Sequence, residues 1–394
     1  MQLNLRYLVR ATLVGIISYA NMAGAADVLD FSIHQEYTST RALGMGNAFS
    51  AVAEDYNALF YNPAALARRK DGNLHMFLRG GIDMEYFSLI GDITSAQGSG
   101  NPEDQIFSLI QDNYGNHFFS RIPTIGAVWA RPNWGIAIIP MDVSIDLSMH
   151  QQVGPQINVN GYIDTTFAYS YARNLDVDIV DEKDEFSVGG TLKAIHRVHV
   201  EEAVAAADLT QEGAQPFDTD SASEGMTIDA DLAVFYTPHI PKVGKWSFLG
   251  FAAPSFAVVM RNVFDMGYPL NFHLISPESG EPDKLQRRMD LGAKFDLPNF
   301  WVFDPKFAVD IRDILHDNWT MLKGLHMGAE MYWKMFSWWK GHWSMGLNQG
   351  YWTAGFGARF GWFQLDLASW GEEVGTSDVP IESRRYMLEM SLDF

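Results

Sequence analysis

The residues with chemistry to offer fall into three groups. His196 and His199 stand three apart in a segment of alternating polarity. On a strand that spacing sends the two imidazoles to opposite faces, so they cannot share a metal ion and read as structural histidines. Asp176, Asp178, Asp181, Glu182, Asp184 and Glu185 form an acidic run that could hold Ca²⁺ loosely. The run lacks the fixed glycine and ligand spacing of a calcium loop and reads better as a solvated rim. The third group is Asp290, Lys294, Asp310, Arg312, Glu330, Lys334, Arg359 and Asp366, all on the polar side of alternating segments. Opposite signs on neighbouring strands could satisfy each other. Alternatively they line a polar conduit in which Arg312 and Arg359 form a cationic spot for a carboxylate head group. Neither a GxSxG elbow nor an HExxH pair is present, so the expectation is no enzyme, no cofactor and no metal.

Composition limits what can position these groups. Arg6 and Arg10 precede an apolar stretch at 11–20, and Ala23-Gly24-Ala25 offers a cleavage point. This predicts a signal peptide over 1–25, too short in its apolar core to remain as a spanning helix. The 394-residue chain has a formal charge of −20, which becomes −22 without that segment, since it carries two Arg and no acid. So acidic a chain is a poor partner for nucleic acid. With no cysteine there is no disulfide, thiolate site or lipoprotein anchor. Aromatic residues make up 13%, Trp alone 12 residues, and the mean hydropathy is −0.09. No later run of about 18 apolar residues exists to form a membrane helix. An exported all-β chain remains, either a periplasmic sandwich or an outer-membrane barrel.

Periodicity favours the barrel. Tyr386, Leu388, Met390, Leu392 and Phe394 alternate with Arg385, Met387, Glu389, Ser391 and Asp393. One row suits lipid and the other water. The same pattern recurs at 288–297, 325–335 and 352–360, and its polar partners are often full charges. About fourteen segments follow, an even number as bacterial barrels prefer: 74–82, 122–131, 134–147, 158–172, 184–199, 225–237, 245–260, 287–297, 304–314, 324–336, 341–349, 352–361, 363–371 and 384–394. Connectors 83–121, 200–224, 261–286 and 372–383 are long. Those at Pro132-Asn133 and Gly361-Trp362 are minimal, the asymmetry of short periplasmic turns and long extracellular loops. Connector 173–183 breaks that trend. Trp333, Trp338, Trp339 and Trp343 crowd one hairpin end, where indoles would sit at headgroup level.

Residues 41–67 are unlike the rest: RALGMGNAFSAVAEDYNALFYNPAALA. Gly44 and Gly46 flank Met45, where a wall or sharp turn demands small residues. Asn62 is placed to cap a helix whose first residue is Pro63. The stretch is too apolar for a solvated tail and too short to fold alone, so it needs a container. It resembles the hatch of the FadL-type long-chain fatty-acid transporters and their relatives, the PorV-type barrels of a secretion machine. The resemblance rests on Arg41 through Gly46, Ala48 through Ala53, Glu54-Asp55, and Asn57 through Leu66. Gly355 through Arg359 and Leu365-Asp366 also look like that family's late strands. Asn47 stands where a further glycine is common, and Ala65 where the family often has glycine. The resemblance implies a transmembrane antiparallel β-barrel of about 14 strands with an N-terminal plug (hatch) inside the lumen: signal peptide 1–25, plug 26–73, barrel 74–394.

The expected function is passive uptake of long-chain fatty acids or other hydrophobic compounds across the outer membrane. The plug motif is Gly44, Met45, Gly46, Asn62, Pro63 and Ala64. Phe49, Phe60, Phe107, Leu109, Ile110, Arg312 and Arg359 are the candidate ligand contacts. Residues 106–111 are expected to form a short helix at the outer mouth, presenting apolar side chains to incoming lipid. Expected partners are outer-membrane lipids, a hydrophobic small molecule, and the barrel-assembly machinery through the last strand and Phe394. The alternative is a structural or secretion-accessory barrel that binds a protein partner through its loops.

Overall fold

In the computed structural model the described residues are 31–151, 155–177, 179, 183–206, 222–242, 247–270, 272–276, 280–376 and 378–394. The expected signal peptide and residues Asp178, Asp181 and Glu182 of the acidic run lie outside them. Fourteen antiparallel strands close into a barrel. They are β1 (Asn73–Ile82), β2 (His117–Arg131), β3 (Trp134–Gln151), β4 (Pro155–Leu175), β5 (Glu185–Ala205), β6 (Ser223–Thr237), β7 (Pro254–Arg261), β8 (Arg288–Asp296), β9 (Phe303–Ile314), β10 (Leu325–Lys334), β11 (Trp339–Asn348), β12 (Tyr351–Phe360), β13 (Phe363–Glu373) and β14 (Glu382–Asp393). Each pairs with its sequence neighbours, and β1 pairs with β14 from His75↔Asp393 to Ile82↔Tyr386. Closure leaves no open edge of unpaired backbone groups, the condition for a sheet in hydrocarbon.

Alternation sorts the side chains as the sequence predicts. On β14, Tyr386, Leu388, Met390, Leu392 and Phe394 are exposed outside, while Arg385, Met387, Glu389, Ser391 and Asp393 are buried within. Exposed aromatics gather where the short turns lie: Trp129, Phe300, Trp301, Phe336, Trp338, Phe360, Trp362 and Phe394. Asn133 and Gly361 take positive φ in the two-residue turns of that end, which is the periplasmic one. An even-stranded closed barrel with an apolar exterior and an aromatic girdle is built to cross a bacterial outer membrane.

Two expectations need correction. Residues 245–260 are not one strand: Ser247–Ala252 is helical and β7 starts only at Pro254. A short apolar run reads as helix or strand alike, and here Gly250 packs against the Ile240 and Pro241 carbonyls. The outer-mouth helix also differs. Helices α3 (Tyr86–Gln97) and α4 (Pro102–Asp112) fill the first long connector. Ile106 and Ile110 lie one turn apart and pack with Ile145, Leu147, Ile157 and Val159. On β3 and β4 those residues alternate with lumen-facing Ser144, Asp146, Asn158 and Asn160, so the helix lies on the outer face of the wall, not across the mouth. β3, β4 and β5 are 18, 21 and 21 residues long, and these apolar extensions bury the helices' apolar face.

Inside the barrel, residues 31–72 form the plug. It holds short helices α1 (Thr40–Gly44) and α2 (Ala58–Tyr61) and a 3₁₀ helix (Pro63–Arg68). Met45, Phe49, Val52, Leu59 and Leu66 make one buried cluster with wall residues Phe77, Val128, Ile139, Phe235 and Val259.

Candidate functional site

The site is the plug with its sockets in the wall. At Gly44 a Cβ would sit 2.6 Å from Gly355 Cα, and at Gly46 (φ +65°) it would sit 2.3 Å from the Met327 carbonyl. Both glycines therefore mark backbone-on-backbone approach. Thr353 secures the corner: its hydroxyl donates to Gly44 O (3.0 Å) and accepts from Gly46 N–H (3.0 Å). Met45, between them, is fully buried against Gly328. Asn62 accepts from Ala64 N–H (3.2 Å) and donates through Nδ2 to Ser50 O (2.8 Å). Pro63 and Ala64 press on Gly189 of β5, where a Cβ would lie 2.6 Å from each.

Charged wall residues grip this segment. Arg41 reaches both oxygens of Glu330 (2.7 and 2.6 Å) and also Asp55 (2.6 Å). Asp310 accepts the backbone N–H groups of Phe49 (2.9 Å) and Ser50 (2.7 Å). Lys294 meets Glu54 at 2.7 Å. Arg312 donates to Asn47 O (3.1 Å) and approaches Asp290 (3.5 Å), which Arg261 holds at 2.7 Å. Higher in the lumen Arg288 binds Glu36, Arg79 donates to Thr38 O, and Arg121 pairs with Asp142 at 2.6 Å. Arg197 pairs with Asp164 at 2.7 Å, and His34 lies 3.3 Å from the same carboxylate. Burial opposes ionisation of Glu36, but Arg288, Lys193, Arg197 and His34 together outweigh it and hold the carboxyl below its ordinary value.

The inward charges thus do not satisfy each other only between strands. Asp290 does so, whereas Lys294, Asp310 and Glu330 engage the plug. Asp366 accepts from Gln364 (2.7 Å), and Arg359 lies at the periplasmic mouth beside Asp393 (3.0 Å). Phe49 and Phe60 are buried in the plug cluster, Phe60 stacked on Tyr37 at 3.9 Å. Ile110 is buried on the wall-facing side of α4, with Phe107 and Leu109 half-buried beside it. These three stand far from Arg312 in the fold. His199 faces the lumen and bonds Asn160 (2.9 Å), while His196 faces outward to Glu224 (3.0 Å). Sequence reasoning missed Arg79, Asp164, Arg197 and Arg288. The alternation that flagged β14 carried them too, each sitting in an inward row.

Between plug and wall lie three small cavities of mixed lining, about 50, 150 and 180 Å³, and one of about 810 Å³ between Glu54, Arg68 and Lys70 of the plug and Thr237, Ser255 and Lys294 of the wall. A different cavity, about 810 Å³ and apolar, opens on the lipid-facing side of β12–β14, β1 and β2. Leu78, Ile82, Ile122, Leu367 and Leu388 line it, together with inward-row residues Gly81, Ala368 and Met387. Ala368 and Met387 belong to a buried lumen cluster with Leu43, Phe119 and Trp370. At Gly355, which lines this recess, the wall meets Gly44 of α1 backbone to backbone.

Neither a family model nor a curated protein matches the sequence. Among solved structures the chain is similar to the Pseudomonas putida toluene transporter TodX, with 8% identity, covering 92% of this chain and 98% of that one at a TM-score of 0.46. For the Ralstonia pickettii toluene transporter TbuX the figures are 9%, 91%, 99% and 0.45. For the CymD monoaromatic hydrocarbon channel they are 10%, 89%, 95% and 0.44.

Proposed function

We propose that this barrel is a FadL-type outer-membrane transporter that passes hydrophobic compounds, long-chain fatty acids among them, by diffusion past a movable plug. The observation that carries the reading is the 810 Å³ apolar cavity, which touches the membrane on one side and the lumen cluster of Leu43, Phe119, Trp370 and Met387 on the other. Apolar surface on both sides of a thin wall lets an oily solute move without facing water. In this reading residues 26–73 act as the plug, residues 74–394 as the conduit, and Phe394 at the end of β14 as the assembly signal. Filling the cavity with Gly81→Phe or Ala368→Phe should abolish uptake of a radiolabelled hydrophobic compound by cells while leaving the folded barrel intact in native gels. Uptake unchanged by both substitutions would remove the conduit reading.

A second reading has its own support. Ion pairs at Glu36, Arg41 and Glu54 clamp the plug to the wall, as befits a barrel whose extracellular loops bind a protein partner. Co-purification of one stoichiometric protein, with no uptake defect in the cavity variants, would favour it.

A further inference from the structure

We propose that the periplasmic mouth carries a binding site for a phosphate-bearing anion, centred on Lys340. Three neighbouring strands each put a cation on their inward row at this end: Lys334 on β10, Lys340 on β11 and Arg359 on β12. They are direct register partners, Lys334↔Lys340 and Lys340↔Arg359. Like charges directly opposite across strands repel, and a chain with 48 acidic and 28 basic residues does not lack carboxylates to separate them. Yet among the described residues no carboxylate lies within ion-pair distance of Lys334 or Lys340. Asp393 pairs with Arg359 at 3.0 Å but is shared with His75 (2.9 Å) and Asn73 (3.1 Å). Glu330 and Asp55 are taken up by Arg41. Elsewhere in the lumen most buried cations have a carboxylate within ion-pair distance, Asp142 and Asp290 each serving two of them.

Lys340, Arg359 and Arg41 also line a cavity of about 150 Å³ with Tyr332 and His342; its two carboxylates, Asp55 and Asp393, are already paired with Arg41 and Arg359, and Lys334 stands next to Lys340 outside this lining. That is room for one phosphate group and a few waters. Cations converging on one cavity suit a multiply charged oxyanion better than a neutral solute. The inference stands apart from the transport reading, since blocking the lipid-facing cavity leaves this mouth untouched.

The test is titration calorimetry of the full chain in detergent at low salt, with inorganic phosphate and with dodecyl phosphate as probes. K334Q/K340Q should weaken binding by about tenfold or more, and added salt should weaken binding to the native chain. K334R/K340R should retain binding, which separates lost charge from lost folding. Tighter binding of dodecyl phosphate assigns the site to an amphiphile's head group, and equal binding assigns it to a small soluble anion. Absence of binding for both probes, or affinity unaltered in K334Q/K340Q, overturns the proposal.

Discussion

Gly44 of the plug and Gly355 of β12 meet backbone to backbone, with no room for a methyl group on either. That contact, at the end of a helix only five residues long, sets how deeply the plug seats. Gly44→Ala should force the two backbones apart at a cost of about 1–3 kcal/mol, the usual range for overpacking. Limited proteolysis should then cut residues 41–67 in a barrel that otherwise resists digestion.

Arg41 bridges the plug to Glu330 of β10 through two hydrogen bonds. Removing one partner leaves the other buried and uncompensated, a loss of about 3–5 kcal/mol for such a pair. Glu330→Ala should therefore loosen the plug, visible as frequent conductance steps in planar bilayers where the native barrel stays shut. A double-mutant cycle with Arg41→Ala should return a large coupling energy.

Asn62 joins two turns of the plug that no helix connects. Asn62→Ala deletes the cap on Ala64 N–H and the bond to Ser50 O together. The expected loss is about 1–2 kcal/mol, typical of a strong N-cap. It should appear as a lowered melting temperature for the plug alone, with strand circular dichroism preserved.

Glu36 sets an acid limit. Burial pushes its carboxyl up, but Arg288 with Lys193, Arg197 and His34 together push it down further, so its folded value lies below the ordinary 4.5. A depressed acid contributes stability that is fully present above the unfolded value and is lost as pH falls through the folded one. Seating of the upper plug should hold from neutral pH to about 5 and weaken only in stronger acid. Glu36→Gln should flatten that acid dependence, measured by hydrogen exchange of residues 33–40.

The barrel was legible because alternation is a local property. β14 shows its two rows in consecutive residues, and no distant partner is needed to sort them. The plug motif was legible as composition, since Gly44, Gly46 and Pro63 have few other uses so close together. The grip between them was not. Arg41 and Glu330 are 289 positions apart, and nothing in either neighbourhood names the other. The helix at 247–252 failed for a related reason: Phe248 and Leu249 suit strand and helix equally. α4 was recognisable as a helix, but which surface its isoleucines cover depends on β3–β5 running past the membrane. Strand length of that kind is decided by what packs above the bilayer.

The pairing of β1 with β14 joins residues up to 318 positions apart. A cylinder sewn shut along such a seam completes its circle only after the final strand has been made, and contacts this distant in the chain form slowly. The cork precedes every stave in the order of synthesis. Its sockets on β8 to β12 arrive late, so the nascent protein must shelter an oily, half-ordered segment until the hoop closes around it.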